Sequence, residues 1–272
     1  MSFRDILVEM DGTAAAPSRA RFAADLAVKF GSRLVGVFAS GRIPAPYVPA
    51  EIAFGLTALE VKRIYDAHDQ AVSKAAEAAR TAFEPIAASA NVQSDWHELG
   101  GGDLQDLVAC ARRVDLVVAS PNGGPFLSTA ELAISSGTPV LIAPEAPASA
   151  TGKHVLVAWN GSRESARALR ASWPFLLTAD QVHVLVVSHG GLGGPDGFLQ
   201  RHFEHHGLRP NLIVDPRDDA SAGEIICNQA GALGADLVVM GLYGRSRLQE
   251  IILGGASREM LQHCIVPLLV SH

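Results

Sequence analysis

The sequence predicts an α/β protein made of two tandem doubly wound units, each with a five-stranded parallel sheet of the Rossmann-like type. Two observations carry this prediction. Four short apolar segments of the first half return in the same order in the second half. Amphipathic segments of helical length separate them, as expected for βαβ units with right-handed crossovers. The two units are therefore expected to form an intramolecular pseudo-dimer.

Matched strand segments define the repeat. The pairs are DILVEMDGT (residues 5–13) with HVLVAWNGS (154–162), RLVGVFAS (33–40) with QVHVLVVS (181–188), DLVVAS (115–120) with DLVVMG (236–241), and TPVLIAP (138–144) with VPLLVSH (266–272). Such apolar runs are typical of strands covered on both faces of a parallel sheet. Residues 91–99 and 211–216 supply one further strand for each half. The predicted units are residues 1–147 and 152–272, joined across the Pro- and Ala-rich segment 144–153.

Helical patterns fill the intervals between these strands. They cover residues 18–30, 55–83 and 103–114 in the first half, and 162–176, 197–206, 221–233 and 257–264 in the second. The first half has about 28 additional residues before its fourth strand, in a Pro-rich loop (41–55) and a longer helix. The closing strands of the two halves are expected to pair with each other, because an apolar strand edge left open invites association.

Composition and charge exclude several classes of protein. With 48% hydrophobic and 18% charged residues, the chain is expected to bury a sizeable core. A net charge of -6 without a basic run argues against a nucleic-acid surface. Neither a signal peptide nor a membrane span is expected from the apolar runs. Cys110, Cys227 and Cys264 form no CxxC pair and fit reduced thiols in a cytoplasmic protein.

Four glycines mark the candidate site, in GLYGRSRLQEIILGG (residues 241–255). Gly241 and Gly244 follow the fourth strand of the second half, and Gly254 and Gly255 precede its last helix. Doubly wound sheets bind ligands at the carboxyl ends of their strands, where glycine lets backbone N–H groups approach a phosphate. Turn formation accounts for the same glycines equally well. On the ligand interpretation, Gly241→Val and Gly254→Val should abolish binding without unfolding the protein.

The spacing G-x2-G-x9-G, the strand ends VEMDGT and VAWNGS, and the closing CIVPLLV (264–270) resemble the universal stress protein family, as a tandem member. Many members with this motif bind ATP, and members without it generally do not. The resemblance therefore implies an ATP site in the second half, with base and ribose beside the first two strand ends and phosphates at the glycines. The implied nucleotide-binding residues are Ala158, Asn160, Val187, Met240, Gly241, Gly244, Gly254, Gly255 and Ala256.

Two departures from the family pattern weaken the implied site. Asn160 replaces the usual Asp, which removes a carboxylate able to contact Mg²⁺. Gly255 replaces the usual Ser or Thr, which removes a hydrogen bond of about 0.5–1.5 kcal/mol. In the first half Asp11 keeps the acidic residue, but residues 120–137 lack the second glycine corner and contain prolines without N–H donors. ATP binding is not expected there.

The resemblance implies a cytoplasmic stress-response protein that acts by nucleotide-dependent regulation, with ATP, alone or with Mg²⁺, as its ligand. The alternatives are a weak ATP hydrolase and a nucleotide-free stress protein that acts through protein contacts. No catalytic residue or resident metal is expected, and a homodimer of tandem chains is compatible with the sequence. His202 and His206 could pair on a metal, but an exposed helix end is favoured because no third ligand is evident. Trp159 could wall the pocket, but a core position is favoured. Arg245, Arg247 and Arg258 are either phosphate partners or solvated surface residues.

Overall fold

The computed structural model describes residues 2–39, 57–99, 104–121, 128–147, 151–187, 197–217, 219–242, 260 and 265–272. The strands are β1 (Asp5–Met10), β2 (Arg33–Ala39), β3 (Ser94–Leu99), β4 (Leu116–Ala119), β5 (Val140–Ile142), β6 (His154–Ala158), β7 (Gln181–Val187), β8 (Asn211–Asp215), β9 (Leu237–Gly241) and β10 (Leu268–Ser271). The helices are α1 (Ala16–Phe30), α2 (Ala58–Ser89), α3 (Leu104–Ala111), α4 (Thr129–Ser136), α5 (Arg163–Leu176), α6 (Gly197–His205) and α7 (Ala222–Ala232).

All ten strands form one sheet in the order β3-β2-β1-β4-β5-β10-β9-β6-β7-β8. Pairing is parallel within each half, and β5 pairs with β10 antiparallel at the centre, with Leu141 opposite Leu269. The predicted fold class and the predicted pairing of the closing strands are therefore confirmed. In each half the first and fourth strands are neighbours from which the chain departs in opposite directions, which creates a topological switch point.

Helices cover both faces of the sheet, and each face has its own apolar cluster. Helices α1, α2, α5 and α6 pack on what we call the first face, through residues such as Phe83 and Phe175. Helices α3, α4 and α7 pack on the second face, through residues such as Leu107 and Ile225. Because both faces of the sheet are buried, the strands are continuous apolar runs, and this is why their positions could be predicted from the sequence. None of the described helices is long and apolar enough to cross a membrane.

Among the described residues, the helices differ most from the sequence prediction in two places, while the predicted helix 257–264 lies outside them except for residue 260. Helix α2 continues to Ser89 instead of ending at residue 83, with Pro85 inside it, because Ala87 beyond the proline is fully buried in the core. Helix α4 lies inside residues 120–137, where no helix was predicted. Its start carries a capping box in which Ser128 accepts the N–H of Glu131 and the Glu131 side chain reaches back to the Ser128 N–H. That Ser-x-x-Glu signal was available in the sequence.

An aromatic joint connects the two halves on the first face. Phe3 and Phe30 of the first half contact Phe175 of the second, with ring centroids 5.7 Å and 5.1 Å away. Lys29 lies beside the rings of Phe30 and Phe175, and its Nζ donates a hydrogen bond to the carbonyl oxygen of Thr151 at 2.9 Å. Since these residues come from both halves, the joint and the β5–β10 pair together fix how the halves sit against each other.

His183 makes the stability of this fold sensitive to acid. The side chain is buried, its Nδ1 lies 3.3 Å from Asn211 Nδ2, and its Nε2 has no hydrogen-bond partner among the described residues. Burial, and then the charge of His154, lower the pKa of His183 below its ordinary value of 6.5. Protonation therefore favours the unfolded chain, and the stability held above the ordinary pKa is lost as the pH falls through the folded pKa.

We expect His183→Leu to flatten the dependence of the unfolding free energy on pH below about pH 6.5. Urea titrations of both proteins at a series of pH values measure it. Asp215, on the neighbouring strand β8, does not contribute to this dependence. Hydrogen bonds from Arg217 hold the pKa of its carboxyl group well below the ordinary 3.8. An unchanged pH profile in His183→Leu contradicts the assignment.

Candidate functional site

The switch point of the second half lies between β6 and β9, which pair in parallel with Val157 opposite Val239. Ala158 ends β6 and Gly241 ends β9, so the two lie side by side at the carboxyl edge. On the other side of β6, strand β7 ends at Val187. The described members of the predicted site thus lie at three adjacent strand ends. Their contact with a nucleotide stays a prediction, and Gly244, Gly254, Gly255 and Ala256 lie outside the described residues.

The side chains at this edge divide between the two faces. Ala158 and Val187 are half-buried and pack on the second face, where Met240 is buried. Met240 is therefore a core side chain, and only its backbone lies at the edge. Trp159, half-buried, packs on the first face, and its backbone N–H donates to the Leu185 carbonyl at 2.8 Å. This packing supports the core interpretation of Trp159, and a role as a pocket wall stays a prediction.

Gly241 makes a close approach between β9 and the start of α5. A Cβ at this glycine would lie 2.5 Å from the backbone carbon of Glu164 and 2.5 Å from the backbone nitrogen of Ser165. Real Cβ atoms do not come so near a backbone. The expectation that Gly241→Val would leave the fold intact is therefore wrong, because this position packs a helix against a strand.

The first turn of α5 forms part of the same edge. Ser162 caps the helix by accepting the Ser165 N–H at 3.1 Å, and Asn160 Oδ1 accepts the Ser162 N–H at 3.0 Å. Glu164 is 5% exposed, and its carboxylate accepts the Arg163 Nε hydrogen at 2.9 Å. Burial raises the pKa of Glu164, but its own backbone N–H and Arg163 outweigh burial and leave it below the ordinary value. Sequence reasoning missed this carboxylate.

A second ion pair stands at the end of β8, beside Val187. Asp215 is buried and accepts hydrogen bonds from the Arg217 side chain, Nε at 2.9 Å and Nη2 at 2.6 Å, from the Arg217 backbone N–H at 3.1 Å and from Gln229 at 3.2 Å. The Arg217 side chain is 42% exposed, so a fixed guanidinium borders the edge in the half predicted to bind phosphates. The sequence signal for this ion pair is an Asp at the end of an apolar strand, followed two residues later by an Arg.

The corresponding edge of the first half is polar and buried. Asp11 accepts the Thr13 N–H at 2.9 Å, in the same turn that Asn160 forms in the second half. It also pairs with Arg19, whose side chain is 3% exposed. Glu9, one residue before the end of β1, is 5% exposed, and burial raises its pKa although the Arg19 charge and the Ser120 N–H oppose burial. Gly123 and Gly124, the glycines of residues 120–137 in this half, lie outside the described residues.

His202 of α6 and His206, which directly follows the helix, pack on the Trp173 ring. His206 stacks on Trp173 with ring centroids 3.9 Å apart, and His202 meets both rings edge-on. Within the described ranges, no three His, Cys, Asp or Glu side chains come together in a way that could hold a metal ion. These contacts support the interpretation of the pair as part of an exposed helix end.

Comparison with known proteins agrees with the resemblance. Residues 217–272 match the sequence model of the Universal stress protein family. No curated protein matches the chain by sequence. A universal stress protein from Archaeoglobus fulgidus DSM 4304 has a similar solved structure: it is 15% identical, covers 98% of this chain and 97% of its own, and has a TM-score of 0.74. A protein of Pseudomonas aeruginosa UCBPP-PA14 assigned to the same family is 16% identical, with coverages of 99% and 93% and a TM-score of 0.54.

The class of protein follows from these findings. The chain is a tandem, doubly wound α/β protein with the fold of a solved universal stress protein over nearly its whole length, and the family model matches residues 217–272. The resemblance to the universal stress protein family is confirmed in this sense. A universal stress protein solved with cAMP matches 53% of this chain and 99% of its own at 18% identity, but its TM-score of 0.33 is too low to carry an argument about this chain.

Proposed function

We propose that this protein is a nucleotide-binding regulatory protein of the stress response, with a single ATP site in its second half. The observation that carries the proposal is the convergence of Ala158, Val187 and Gly241 on three adjacent strand ends at the switch point. Ligands of doubly wound sheets bind at this place. The segment matched by the family model also contains the whole glycine motif.

Charge near the edge supports an anionic ligand. The Arg217 guanidinium is fixed by Asp215 at the neighbouring strand end, where a second contact to a phosphate would satisfy its remaining donors. The start of α5 adds the positive end of a helix dipole to the same edge. Glu164 acts against this attraction, although its charge is already paired with Arg163.

Binding without rapid turnover is the form of the function we favour. Hydrolysis needs a positioned water and usually a Mg²⁺ ion held by a carboxylate or hydroxyl. The side-chain oxygen of Asn160 is engaged in its turn with Ser162, and Gly255 has no hydroxyl. From the sequence repeat, we divide the chain into two units, residues 1–147 and 152–272. We place the protein in the cytoplasm, in agreement with the free thiol of Cys110.

Calorimetric titration of the purified protein with ATP is expected to give a stoichiometry near one per chain. The first half lacks the glycine motif, and its edge is filled by its own side chains, so it should add no second site. Analysis of the nucleotide that co-purifies with the protein gives an independent reading. Two equal sites contradict the assignment to one half, and no binding at all favours the nucleotide-free alternative.

Substitutions at the second glycine corner test the phosphate contacts. Gly254→Val is expected to abolish ATP binding, because a side chain there blocks the approach of backbone N–H groups to a phosphate. Gly255→Ser should tighten binding about 2–10-fold by restoring a hydroxyl hydrogen bond. Gly231→Val is the matched control, since nothing lies within 4 Å of a Cβ at that helical glycine. ATP affinity equal to that of the parent in Gly254→Val would show that the glycine serves only a turn.

A further inference from the structure

Strand register fixes which positions of the two halves correspond. The equivalent register pairs are Val8↔Val118 in the first half and Val157↔Val239 in the second. Counting on from these pairs, Glu9 corresponds to Ala158 and Ser120 corresponds to Gly241. The same count into the following helices matches Arg19 with Ala168, and both are buried. The first half thus has a carboxylate and a guanidinium where the second half has two methyl groups.

The carboxylate of Glu9 accepts a hydrogen bond from a backbone N–H at the first half's switch point. Its Oε2 accepts the N–H of Ser120 at 3.3 Å, directly after β4. Arg19 donates its Nε to the Glu9 carbonyl oxygen at 2.8 Å and its Nη2 to the Asp11 carboxylate at 2.7 Å. With Glu9 only 5% and Arg19 only 3% exposed, the two charges are taken out of water together.

Neighbouring elements hold this arrangement closed. Thr129, at the start of α4, donates its hydroxyl to the Ser120 carbonyl oxygen at 2.6 Å. Helix α2 reaches the turn after β1, where a Cβ on Gly12 would lie 3.5 Å from the Ala75 Cβ. The helix at the matching place of the second half, α6, has 9 residues against 32 in α2. The extra length of the first half therefore covers its own edge.

We infer that the Glu9 carboxylate is a built-in occupant of the first half's site, held by the Ser120 N–H, and that this carboxylate, together with the buried Arg19 that binds the Glu9 backbone, decides which half of the protein accepts an external anion. In the second half Ala158 and Ala168 place no charged side chain at the corresponding positions. The occupancy of the first half stands on the geometry alone, whereas the choice between the halves rests on the proposed function.

Chemical rescue tests the occupancy. Glu9→Ala removes the carboxylate and leaves a space beside the Ser120 N–H. We expect the Tm to fall by roughly 5 °C, and sodium formate, a free carboxylate, to restore at least half of the loss. Sodium chloride at equal ionic strength should not restore it. Glu84→Ala is the control, because Glu84 is an exposed carboxylate paired with Arg80 and its loss should give no response to formate.

The rescue can be measured whether or not Glu9→Ala folds in chloride. If Glu9→Ala is unfolded in chloride, the same test is made as recovery of the circular dichroism spectrum on adding formate. Restoration specific to formate and to Glu9→Ala supports the inference. Equal effects of formate and chloride, or a Tm unchanged by Glu9→Ala, overturn it.

A transplant tests the choice between the halves. Ala158→Glu with Ala168→Arg carries the pair into the second half, and we expect the Kd for ATP to rise at least 100-fold with the circular dichroism spectrum retained. A transplant that binds ATP as tightly as the parent overturns the inference. A parent that does not bind ATP overturns the proposed function instead, and the formate rescue still decides the role of Glu9.

Discussion

Gly241→Ala is expected to destabilise the protein by about 3 kcal/mol or more, and Gly241→Val by at least as much. Alanine adds only the Cβ, which would lie 2.5 Å from the backbone of Glu164 and Ser165. Backbone atoms cannot swing aside as the end of a flexible side chain can, so the start of α5 must shift away from β9. Such a shift also disturbs the edge at which Ala158 and Asn160 lie.

Urea unfolding measures this loss of stability, and Gly231→Ala is the matched control. Gly231 lies in α7 with nothing within 4 Å of its Cβ position. Alanine there should raise stability by about 0.5–1 kcal/mol, because glycine is the poorer helix former. If Gly241→Ala is as stable as the parent, the close approach between β9 and α5 is not a constraint on the fold.

Leu269→Ala is expected to cost about 2–5 kcal/mol, and Leu141→Ala a similar amount. The two residues face each other across the antiparallel β5–β10 pair, and both are fully buried. Each truncation removes apolar contacts at the centre of the sheet and leaves a cavity that neighbouring strands cannot close. This is the place where the two halves become one sheet, so the loss should appear in a single unfolding transition of the whole chain.

The double variant measures the contact between the halves directly. Because the two leucines share one environment, their effects should depart from additivity by about 0.5–3 kcal/mol. Leu177→Ala is the control, since Leu177 is 49% exposed and its loss should cost little. Strictly additive losses for Leu141→Ala and Leu269→Ala would show that the two strands stabilise their halves separately.

The sequence alone determined the order and kind of the main elements. Strands covered on both faces must be apolar throughout, so β1, β4, β6 and β9 appear as short apolar runs that repeat in register. The pairing of β5 with β10 followed from the same pattern, because two apolar closing strands need partners. The position of Ala158, Val187 and Gly241 at one edge followed in turn from the parallel topology, in which carboxyl ends meet.

Only the tertiary structure decided what these positions do. Gly241 meets α5, and its role depends on a helix start more than seventy residues earlier in the chain, which no spacing within GLYG reveals. Glu9 is a polar residue that interrupts an apolar strand, yet its carboxylate accepts the Ser120 N–H next to another strand, and its carbonyl oxygen accepts a hydrogen bond from Arg19 of the following helix. Local patterns record burial and periodicity, because these act along the chain. Contacts between distant segments depend on how the elements pack, and they set the chemistry of each edge.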